Sequence, residues 1–223
     1  MATRQKAYKA YKGLPMEGFI ARWYAKNTRV DSRGFKTTAR AVAAQVPPGG
    51  SILEVAPGPG YLAIEMVRLG DYRVSGLDIS QSFVRIAGEN AREAGVKIDF
   101  RQGDAAHMPF PDASFDFVVC TAAFKNFTDP IGAINEIYRV LKPGGKASIF
   151  DLRKDTSKDA IDQEVNSMKL SRLNTFFTKM TFRFVLLKNA YTNDALRRMV
   201  SKSRFGKGEI VHEGIGFELR LAR

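Results

Sequence analysis

Along residues 51–152 of this chain, short apolar runs alternate with stretches whose apolar residues recur at helical spacing. The apolar runs predict five strands, at residues 52–55, 73–78, 97–103, 115–124 and 146–152. The stretches with helical spacing predict helices at residues 61–69, 81–94 and 130–141. Strands that alternate with helices form a parallel sheet, and the near-continuous apolar character of 115–124 is typical of a strand covered on both faces. The pattern predicts an α/β protein with a doubly wound sheet.

The N-terminal residues follow a different pattern. Helical spacing predicts helices at residues 18–28 and 34–45, and the sequence V-P-P-G-G at 46–50 ends the second of them. Four large residues fall on roughly one side of the first helix: Phe19, Ile20, Trp23 and Tyr24. Such a face is expected either to pack against the core or to lie over a ligand pocket as a lid.

After Asp151 the alternation of strands and helices ends. Helices are predicted at residues 156–168, 170–187 and 193–203, the last capped near Thr192 or Asn193. Polar and apolar residues then alternate over 217–222, which together with 209–212 predicts a terminal hairpin.

The turn after the first predicted strand carries the clearest chemical signal. In residues 51–61, S-I-L-E-V-A-P-G-P-G-Y, Gly58 and Gly60 permit backbone torsions and close approaches that a side chain would block. The turn directs backbone N–H groups and the positive end of a helix to one place, which suits a nucleotide-like ligand. Residues 58–63 fit G-x-G-x-x-G/A, the dinucleotide fingerprint, with Asp78 as the ribose-binding acid. A second motif, acidic-x-Gly-x-Gly-x-Gly, fits equally through Glu54, with Ala56 in place of its first glycine.

The net charge of +12 is unevenly distributed along the 223 residues. Residues 1–50 hold ten Lys and Arg against two acids, residues 51–151 hold ten against thirteen, and residues 152–223 hold fifteen against eight. Basic flanks are typical of a protein with an anionic partner, such as RNA, an acidic substrate or a membrane surface, and equally of solvated faces.

Cysteine and histidine usage excludes several classes of site. The single cysteine, Cys120, permits no internal disulfide and is expected to be a small buried hydrophobe. Two isolated histidines build no metal site. No signal peptide and no apolar run of bilayer length is apparent, so a soluble, cytoplasmic protein without a transmembrane segment is predicted.

Four motifs together resemble the class I S-adenosyl-L-methionine (AdoMet) methyltransferases, in particular the small-molecule group of ubiquinone and menaquinone biosynthesis. They are E-V-A-P-G-P-G, V-S-G-L-D-I-S, G-D-A-A-H-M-P-F-P-D-A-S-F-D-F-V-V and R-V-L-K-P-G-G, all within residues 51–151. The last two are more specific than the first and argue against a nicotinamide cofactor. The resemblance implies a Rossmann-like, seven-stranded sheet, mostly parallel, with an antiparallel C-terminal strand. Ala56 and the prolines beside it are expected to alter the geometry of the turn.

The resemblance also implies the residues that hold AdoMet. Glu54 would orient the amino-acid end of the cofactor, and Asp78 would accept both ribose hydroxyls, because a carboxylate accepts and never donates. Asp104 would accept from the adenine amino group. Further positions are implied along the turn and the strand ends: Ala56, Gly58, Gly60, Tyr61, Ile79, Ala105, Thr121 and Ala122.

The resemblance further implies one methyltransferase domain over residues 1–223. Its parts would be an N-terminal helical lid or cap (1–45), the cofactor core (46–153), a helical acceptor-side region (154–205) and the hairpin (206–223). The aromatic and basic residues of 170–187 are expected to form an apolar acceptor pocket or to touch a membrane peripherally.

The expected reaction is in-line methyl transfer to a small apolar or aromatic acceptor. The methyl group of AdoMet is already activated, so positioning is the main task of the protein. Asp151, His107 and Tyr24 are the candidate catalytic residues, and no residue stands out as a base. Two alternatives remain open: RNA methylation that uses the basic flanks, although no N-P-P-Y-type motif follows the fourth strand, and non-catalytic AdoMet binding. The oligomeric state is left open.

Overall fold

The computed structural model describes residues 11–12, 16–28, 32–167 and 187–223. The helix predicted at 170–187 lies outside these residues except for Leu187.

One seven-stranded sheet forms the centre of the molecule, with the order β3-β2-β1-β4-β5-β7-β6. Its strands are β1 (Ser51–Val55), β2 (Arg73–Asp78), β3 (Asp99–Gln102), β4 (Phe115–Thr121), β5 (Leu141–Leu152), β6 (Glu209–Glu213) and β7 (Gly216–Ala222). Strands β1 to β5 pair in parallel, and β7 pairs antiparallel with both β5 and β6. This topology confirms the prediction of a doubly wound sheet with an antiparallel C-terminal strand.

Helices precede the sheet and connect its strands. They are α1 (Gly18–Thr28), α2 (Ser32–Ala43), α3 (Tyr61–Arg68), α4 (Gln81–Glu93), α5 (Pro130–Val140), α6 (Lys158–Ser167) and α7 (Asn193–Ser201). Four of them start at side-chain caps, in which Ser80, Asp129, Ser157 and Thr192 accept hydrogen bonds from Phe83, Gly132, Ala160 and Ala195 backbone N–H groups, respectively. Such caps satisfy N–H groups that have no partner within the helix.

Apolar residues on both faces of the sheet explain the continuous apolar run of β4. Val118 and Cys120 belong to a core that includes residues of α5 and α7, whereas Phe117 and Val119 belong to a core that includes residues of α2 and α3. Since side chains alternate along a strand, a strand covered on both faces needs apolar residues at consecutive positions, as β4 has from 117 to 120.

Three strands have boundaries that differ from the predicted ones by more than one residue. Strand β5 begins at Leu141 rather than at residue 146, because Leu141 already pairs with Phe115 of β4 before the register of the two strands shifts. Strand β4 ends at Thr121 rather than at residue 124, because Ala122 takes a left-handed conformation with φ of 56° and Phe124–Asn126 forms a 3-10 turn. Strand β3 is limited to Asp99–Gln102, where its pairing with β2 begins and ends.

Helix α1 is attached to the fold by its small residues rather than by its large ones. Ala21 and Ala25 are buried together with Phe83 and Ile86 of α4. Just before α1, Glu17 accepts hydrogen bonds from the Gln81 and Ser82 backbone N–H groups at the start of α4. Phe19, Ile20 and Trp23 therefore lie away from this contact, which contradicts the interpretation of that face as core packing at these three positions. Tyr24 does pack there, because its ring meets that of Phe83 edge-on with 5.7 Å between the centroids.

Within the described part of the chain, no helix combines the length and the apolar character that crossing a bilayer would require.

Candidate functional site

The turn that follows β1 lies at the carboxyl edge of the sheet, between β2 and β4. Every residue of β1 is buried, and the chain then passes through three left-handed positions: Ala56 at φ 57°, Gly58 at 55° and Gly60 at 79°. The Ala56 N–H donates to the Leu77 carbonyl oxygen (2.7 Å) and the Gly60 N–H donates to that of Pro57 (3.0 Å). Ala56 thus takes a conformation that suits glycine, at a cost of roughly 1–2 kcal/mol for an alanine.

Gly60 is needed for packing as well as for its torsion angle. A Cβ at this position would lie 2.9 Å from Ala87 Cβ and 2.9 Å from Phe100 Cζ. Gly95 has a similar left-handed φ of 71°, but a Cβ there would meet no atom within 4 Å.

We expect Gly60→Ala to lower the free energy of unfolding by about 2–4 kcal/mol, because strain and overpacking act together. Gly95→Ala carries the strain alone and should cost about 1 kcal/mol. Urea unfolding of both variants measures the difference, and equal losses would show that the helix and β3 accommodate the extra methyl group.

Two buried carboxylates lie at the ends of β1 and β2, as the sequence predicts. Glu54 is 1% exposed, and its Oε2 atom has no hydrogen-bond partner. Asp78 is 5% exposed; its Oδ2 accepts from the Gly58 N–H (3.0 Å) and its Oδ1 from the Ser80 N–H (2.8 Å). One N–H on each oxygen leaves further acceptor capacity on both, since a carboxylate has about four lone-pair positions.

Burial shifts the pKa values of both acids upward. Desolvation raises the pKa of Glu54 to about 8, although the Ala63 backbone N–H in the first turn of α3 opposes the shift. Desolvation also raises the pKa of Asp78 to about 6, against the hydrogen bonds from the Ser80 and Gly58 N–H groups. Free Glu54 is therefore protonated at neutral pH, and it lies within a site where a cation would favour its charged form.

The third predicted acid is more exposed than these two. Asp104 follows β3 and accepts from the Ala106 N–H (2.9 Å), with Ala105 half-buried beside it. The Nδ1 atom of His107 lies 3.3 Å from Asp104 Oδ2, and the His107 side chain is 82% exposed. Ile79 is half-buried next to Asp78.

Residues before and within α1 meet the same edge of the sheet. Tyr11 forms a bridge with Phe127, and burial raises the pKa of its phenol, helped by Tyr24, Asp78 and Asp151. Burial also raises the pKa of Tyr24, with Asp78 as the second cause. Both tyrosines are therefore neutral hydrogen-bond donors near the carboxylate of Asp78.

Tyr61 connects the turn to α1. Its hydroxyl donates to the Ala25 carbonyl oxygen (3.0 Å), and its ring lies 5.8 Å from that of Phe35 between centroids. The side chain thus points toward the N-terminal helices, while its backbone begins α3.

A buried ion pair joins the ends of β4 and β5. Lys125 Nζ donates to Asp151 Oδ1 (2.6 Å) and to the Ala122 carbonyl oxygen (2.8 Å), and the Lys125 N–H donates to Asp151 Oδ2 (2.8 Å). The side chains are 9% and 1% exposed. The Leu152 N–H also donates to Asp151 Oδ1, so both carboxylate oxygens are engaged. The lysine holds the left-handed Ala122 next to Thr121 at the end of β4.

Sequence reasoning missed Lys125 and Glu17. Lys125 appears in T-A-A-F-K-N-F as one more basic residue in a basic protein. The available signal was a lone lysine amid an apolar stretch that follows a buried strand, because a buried cation requires a partner. Glu17 carries no such signal, since its partners lie 64 and 65 residues away.

Among the residues that the structure describes, no group of three or more His, Cys, Asp or Glu side chains is arranged to hold a metal ion.

The sheet and the turn define a Rossmann-like protein with a nucleotide-type site at its strand ends. Residues 53–149 match the family described as a methyltransferase domain. A demethylmenaquinone methyltransferase of Deinococcus radiodurans is 37% identical over 120 residues, which cover 53% of this chain and 49% of that protein. One from Chlorobaculum parvum is 31% identical over 164 residues, covering 71% of this chain and 66% of that protein. The chain spans about half the length of the first of these relatives.

A solved structure shares the fold over nearly the whole chain. The crystal structure of a Methanococcus maripaludis protein, assigned as an S-adenosyl-L-methionine-dependent methyltransferase, superposes with a TM-score of 0.76 over 95% of both chains at 21% identity. The matching family and these relatives identify residues 53–149 as a methyltransferase domain of the AdoMet-dependent class, and the superposition shows that the fold is shared. The cofactor of that class is S-adenosyl-L-methionine.

The residues at the site fit this cofactor. The unpartnered Oε2 of Glu54 is a buried acceptor that an ammonium group would satisfy. The spare lone pairs of Asp78 suit a pair of hydroxyls, and the left-handed turn between the two acids brings backbone within reach of a ligand.

Proposed function

We propose that this chain transfers the methyl group of AdoMet to a small aromatic acceptor of the quinol type. The observation that carries the proposal is the pair of buried carboxylates, Glu54 and Asp78, on either side of the glycine turn. The relatives named demethylmenaquinone methyltransferase support the acceptor class, and the matched methyltransferase domain, residues 53–149, includes both acids.

Each acid has a distinct task in this proposal. Glu54 accepts from the ammonium group of the cofactor and becomes a carboxylate as it does so. Asp78 accepts from both ribose hydroxyls while keeping its bonds to the Gly58 and Ser80 N–H groups. The backbone of Ala56, Gly58 and Gly60 passes beneath the amino-acid end, and Tyr61 starts the helix whose positive end faces it.

The adenine would be held by residues from the next two strand ends. Asp104 accepts from the adenine amino group, the Ala105 N–H lies nearby, and Ile79 packs on the ring. Thr121 and Ala122, at the end of β4, would line the other side of the cofactor, and Lys125 Nζ holds the Ala122 carbonyl oxygen (2.8 Å).

Methyl transfer here needs positioning more than acid–base chemistry. AdoMet supplies an electrophilic methyl group, and the chain aligns it with the acceptor and excludes water. We propose that Asp151 positions Lys125 and does not itself touch the acceptor, because its side chain is 1% exposed and lies against the lysine on both oxygens. Tyr24 and Tyr11 would donate hydrogen bonds to an acceptor oxygen. His107, largely exposed, would serve only at the rim.

Residues 11–12 and 16–28 would act as a lid over this site. Tyr11 forms a bridge with Phe127, the Met16 carbonyl oxygen accepts from the Ser80 hydroxyl, and the Ala25 carbonyl oxygen accepts from the Tyr61 hydroxyl, so that these residues contact the carboxyl edge of the sheet. The domain limits given from the sequence, with residues 154–205 on the acceptor side, belong to the same proposal, as does a cytoplasmic location.

RNA methylation is less well supported. Cys120 is fully buried within β4, and burial raises the pKa of its thiol, so it is a poor nucleophile for a cytosine ring.

The proposal is tested by calorimetric titration with AdoMet, S-adenosylhomocysteine and NAD, followed by incubation with labelled AdoMet and a demethylated naphthoquinol. We expect micromolar binding of the first two, no binding of NAD, and label in the naphthoquinol. Binding of NAD instead would make the chain an oxidoreductase. AdoMet binding without label in any quinol or in RNA would support a non-catalytic role.

Cofactor binding should release a proton from Glu54. With a pKa of about 8, the free side chain is largely protonated at pH 7, whereas an ammonium partner favours the carboxylate. We expect release of close to one proton per AdoMet, measured as the dependence of the binding enthalpy at pH 7 on the ionisation enthalpy of the buffer.

Two variants test whether the proton released on AdoMet binding comes from Glu54. Glu54→Gln should abolish the release and weaken binding about tenfold, while Asp104→Asn should retain the release. Binding enthalpies that are equal in phosphate and Tris buffers for the unaltered protein would contradict the proposed role of Glu54.

A further inference from the structure

The outer face of α1 carries the main exposed apolar surface in the described part of the chain. Phe19 is 73% exposed, Trp23 59% and Ile20 41%, and with Tyr24 these are four of the five large hydrophobic residues that are exposed among the residues described. Residues at positions i, i+1 and i+4 share one side of a helix. The apolar stripe is therefore continuous rather than scattered.

A surface helix usually turns its large apolar residues toward the core, and α1 turns most of them away from it. The small residues Ala21 and Ala25 face the core and Phe19 and Trp23 face outward, while Tyr24 lies at the border, with its ring against that of Phe83. A contiguous exposed apolar face commonly marks a site of contact.

The charges around the stripe indicate what it contacts. Arg22 and Lys26 are both exposed, lie next to the stripe, and have no acid within α1 to balance them. The only acid just before the helix, Glu17, is engaged by the N–H groups of α4. The next helix adds three exposed cations at helical spacing: Arg33, Lys36 and Arg40.

We propose that α1 docks on an anionic membrane surface, with Phe19, Ile20 and Trp23 inserted at the interface and Arg22 and Lys26 facing the headgroups. Aromatic residues next to cations on one helix are typical of helices that lie in the membrane interface. A second copy of this chain would fit poorly, because it would bring two such cationic faces together in a protein of net charge +12.

Helix α1 lies next to the proposed cofactor site, so its docking on a membrane would bear on catalysis. Its inner side borders the proposed cofactor site through the contact of Ala25 with Tyr61 and the proximity of Tyr24 to Asp78. A membrane under α1 would present an apolar acceptor close to the site. This bearing on catalysis rests on the proposed function, although the docking itself does not.

The single tryptophan of the chain, Trp23, reports directly on the proposed contact. The full chain is mixed with vesicles of phosphatidylcholine alone and of phosphatidylcholine with phosphatidylglycerol. We expect a blue shift of the Trp23 emission and quenching by brominated lipid with the anionic vesicles only.

Variants separate the apolar and the charged contributions and keep Trp23 as the probe. Phe19→Ser with Ile20→Ser should lower the partition coefficient at least about tenfold. Arg22→Gln and Lys26→Gln should each lower it about fivefold. Leu69→Ser, which removes an exposed apolar residue outside α1, is the matched control and should change nothing.

Several outcomes would overturn the proposal. One is an emission of Trp23 that stays unchanged with both kinds of vesicle, and another is a partition coefficient that falls as much with Leu69→Ser as with the α1 variants. A shift produced by RNA but not by vesicles would point to a nucleic-acid partner instead. A shift that follows protein concentration and dimer formation would point to a second copy of the chain. Calorimetry with AdoMet on the same samples separates the two proposals. Binding of AdoMet without binding to vesicles would reject membrane docking and leave the cofactor site standing. Binding to vesicles without binding of AdoMet would reject the cofactor site and leave membrane docking standing.

Discussion

Asp78→Asn is expected to weaken AdoMet binding at least about 100-fold at pH 7.5. The asparagine has one acceptor oxygen where the carboxylate has two, and its NH2 group would face a donor, either the Gly58 N–H or a ribose hydroxyl. Each hydrogen bond to a charged group contributes about 1.5–3 kcal/mol, and two such bonds are affected. Calorimetric titration of the variant measures the loss.

The pH dependence of binding follows from the same carboxylate. Because the pKa of Asp78 in the free protein is raised to about 6, a proton occupies it below that pH and competes with the ribose hydroxyls. Affinity for AdoMet should therefore fall as pH drops through about 6. The residual binding of Asp78→Asn should show a shallower dependence, because only the proton that Glu54 releases on binding then lowers the affinity as pH falls.

The effect of Asp78 on stability has the opposite sign. A carboxyl group whose pKa is higher in the folded than in the unfolded state binds protons more tightly when folded, so its contribution to stability falls as pH rises from about 4 to about 6. Asp78→Asn should reduce the loss of unfolding free energy between pH 4 and pH 8, as measured by urea titration.

The matched control is Asp99→Asn. Asp99 lies on the neighbouring strand β3 and pairs only at the surface with Arg101, with half of its side chain exposed. This variant should bind AdoMet as the unaltered protein does. Equal binding by Asp78→Asn and Asp99→Asn would remove Asp78 from the cofactor site.

Lys125→Met is expected to lower the free energy of unfolding by about 3–5 kcal/mol at pH 7. The substitution leaves Asp151 buried, 1% exposed at its side chain, without its cation, and breaking a buried pair from one side is costly for this reason. It also releases the Ala122 carbonyl oxygen, which should weaken AdoMet binding through the altered end of β4. Urea unfolding followed by circular dichroism measures the change in stability.

Two further variants test the cause. Lys142→Met breaks the pair with Asp116, in which the lysine side chain is 37% exposed, and should cost about 0–1 kcal/mol. Lys125→Met combined with Asp151→Asn removes the uncompensated charge and should recover at least half of the loss. A double variant no more stable than Lys125→Met would show that packing of the lysine stem, rather than charge, dominates.

The strand ends of the cofactor site could be located from the sequence. Glu54 and Asp78 each end an apolar run that alternates with helices, and the carboxyl ends of parallel strands meet at one edge of a sheet. Local pattern and general topology therefore suffice to bring the two acids together, and the structure places both there, buried.

The partners of those residues could not be located in the same way. The pair of Lys125 with Asp151 spans 26 residues and depends on the left-handed turn at Ala122, which ends β4 earlier than its apolar run does. The raised pKa values of Glu54 and Asp78 likewise depend on burial, which the sequence pattern does not measure.

Helix α1 shows which features follow from the sequence and which follow only from the tertiary structure. The sequence by itself determined the helix, its apolar side and the parallel sheet that follows, because helical and strand periodicities are local properties of the chain. Only the tertiary structure decided that Ala21 and Ala25 face the core while Phe19 and Trp23 face outward. Which side of a helix is buried depends on the shape of the surface that it meets, and against Phe83 and Ile86 the side with small residues permits close approach.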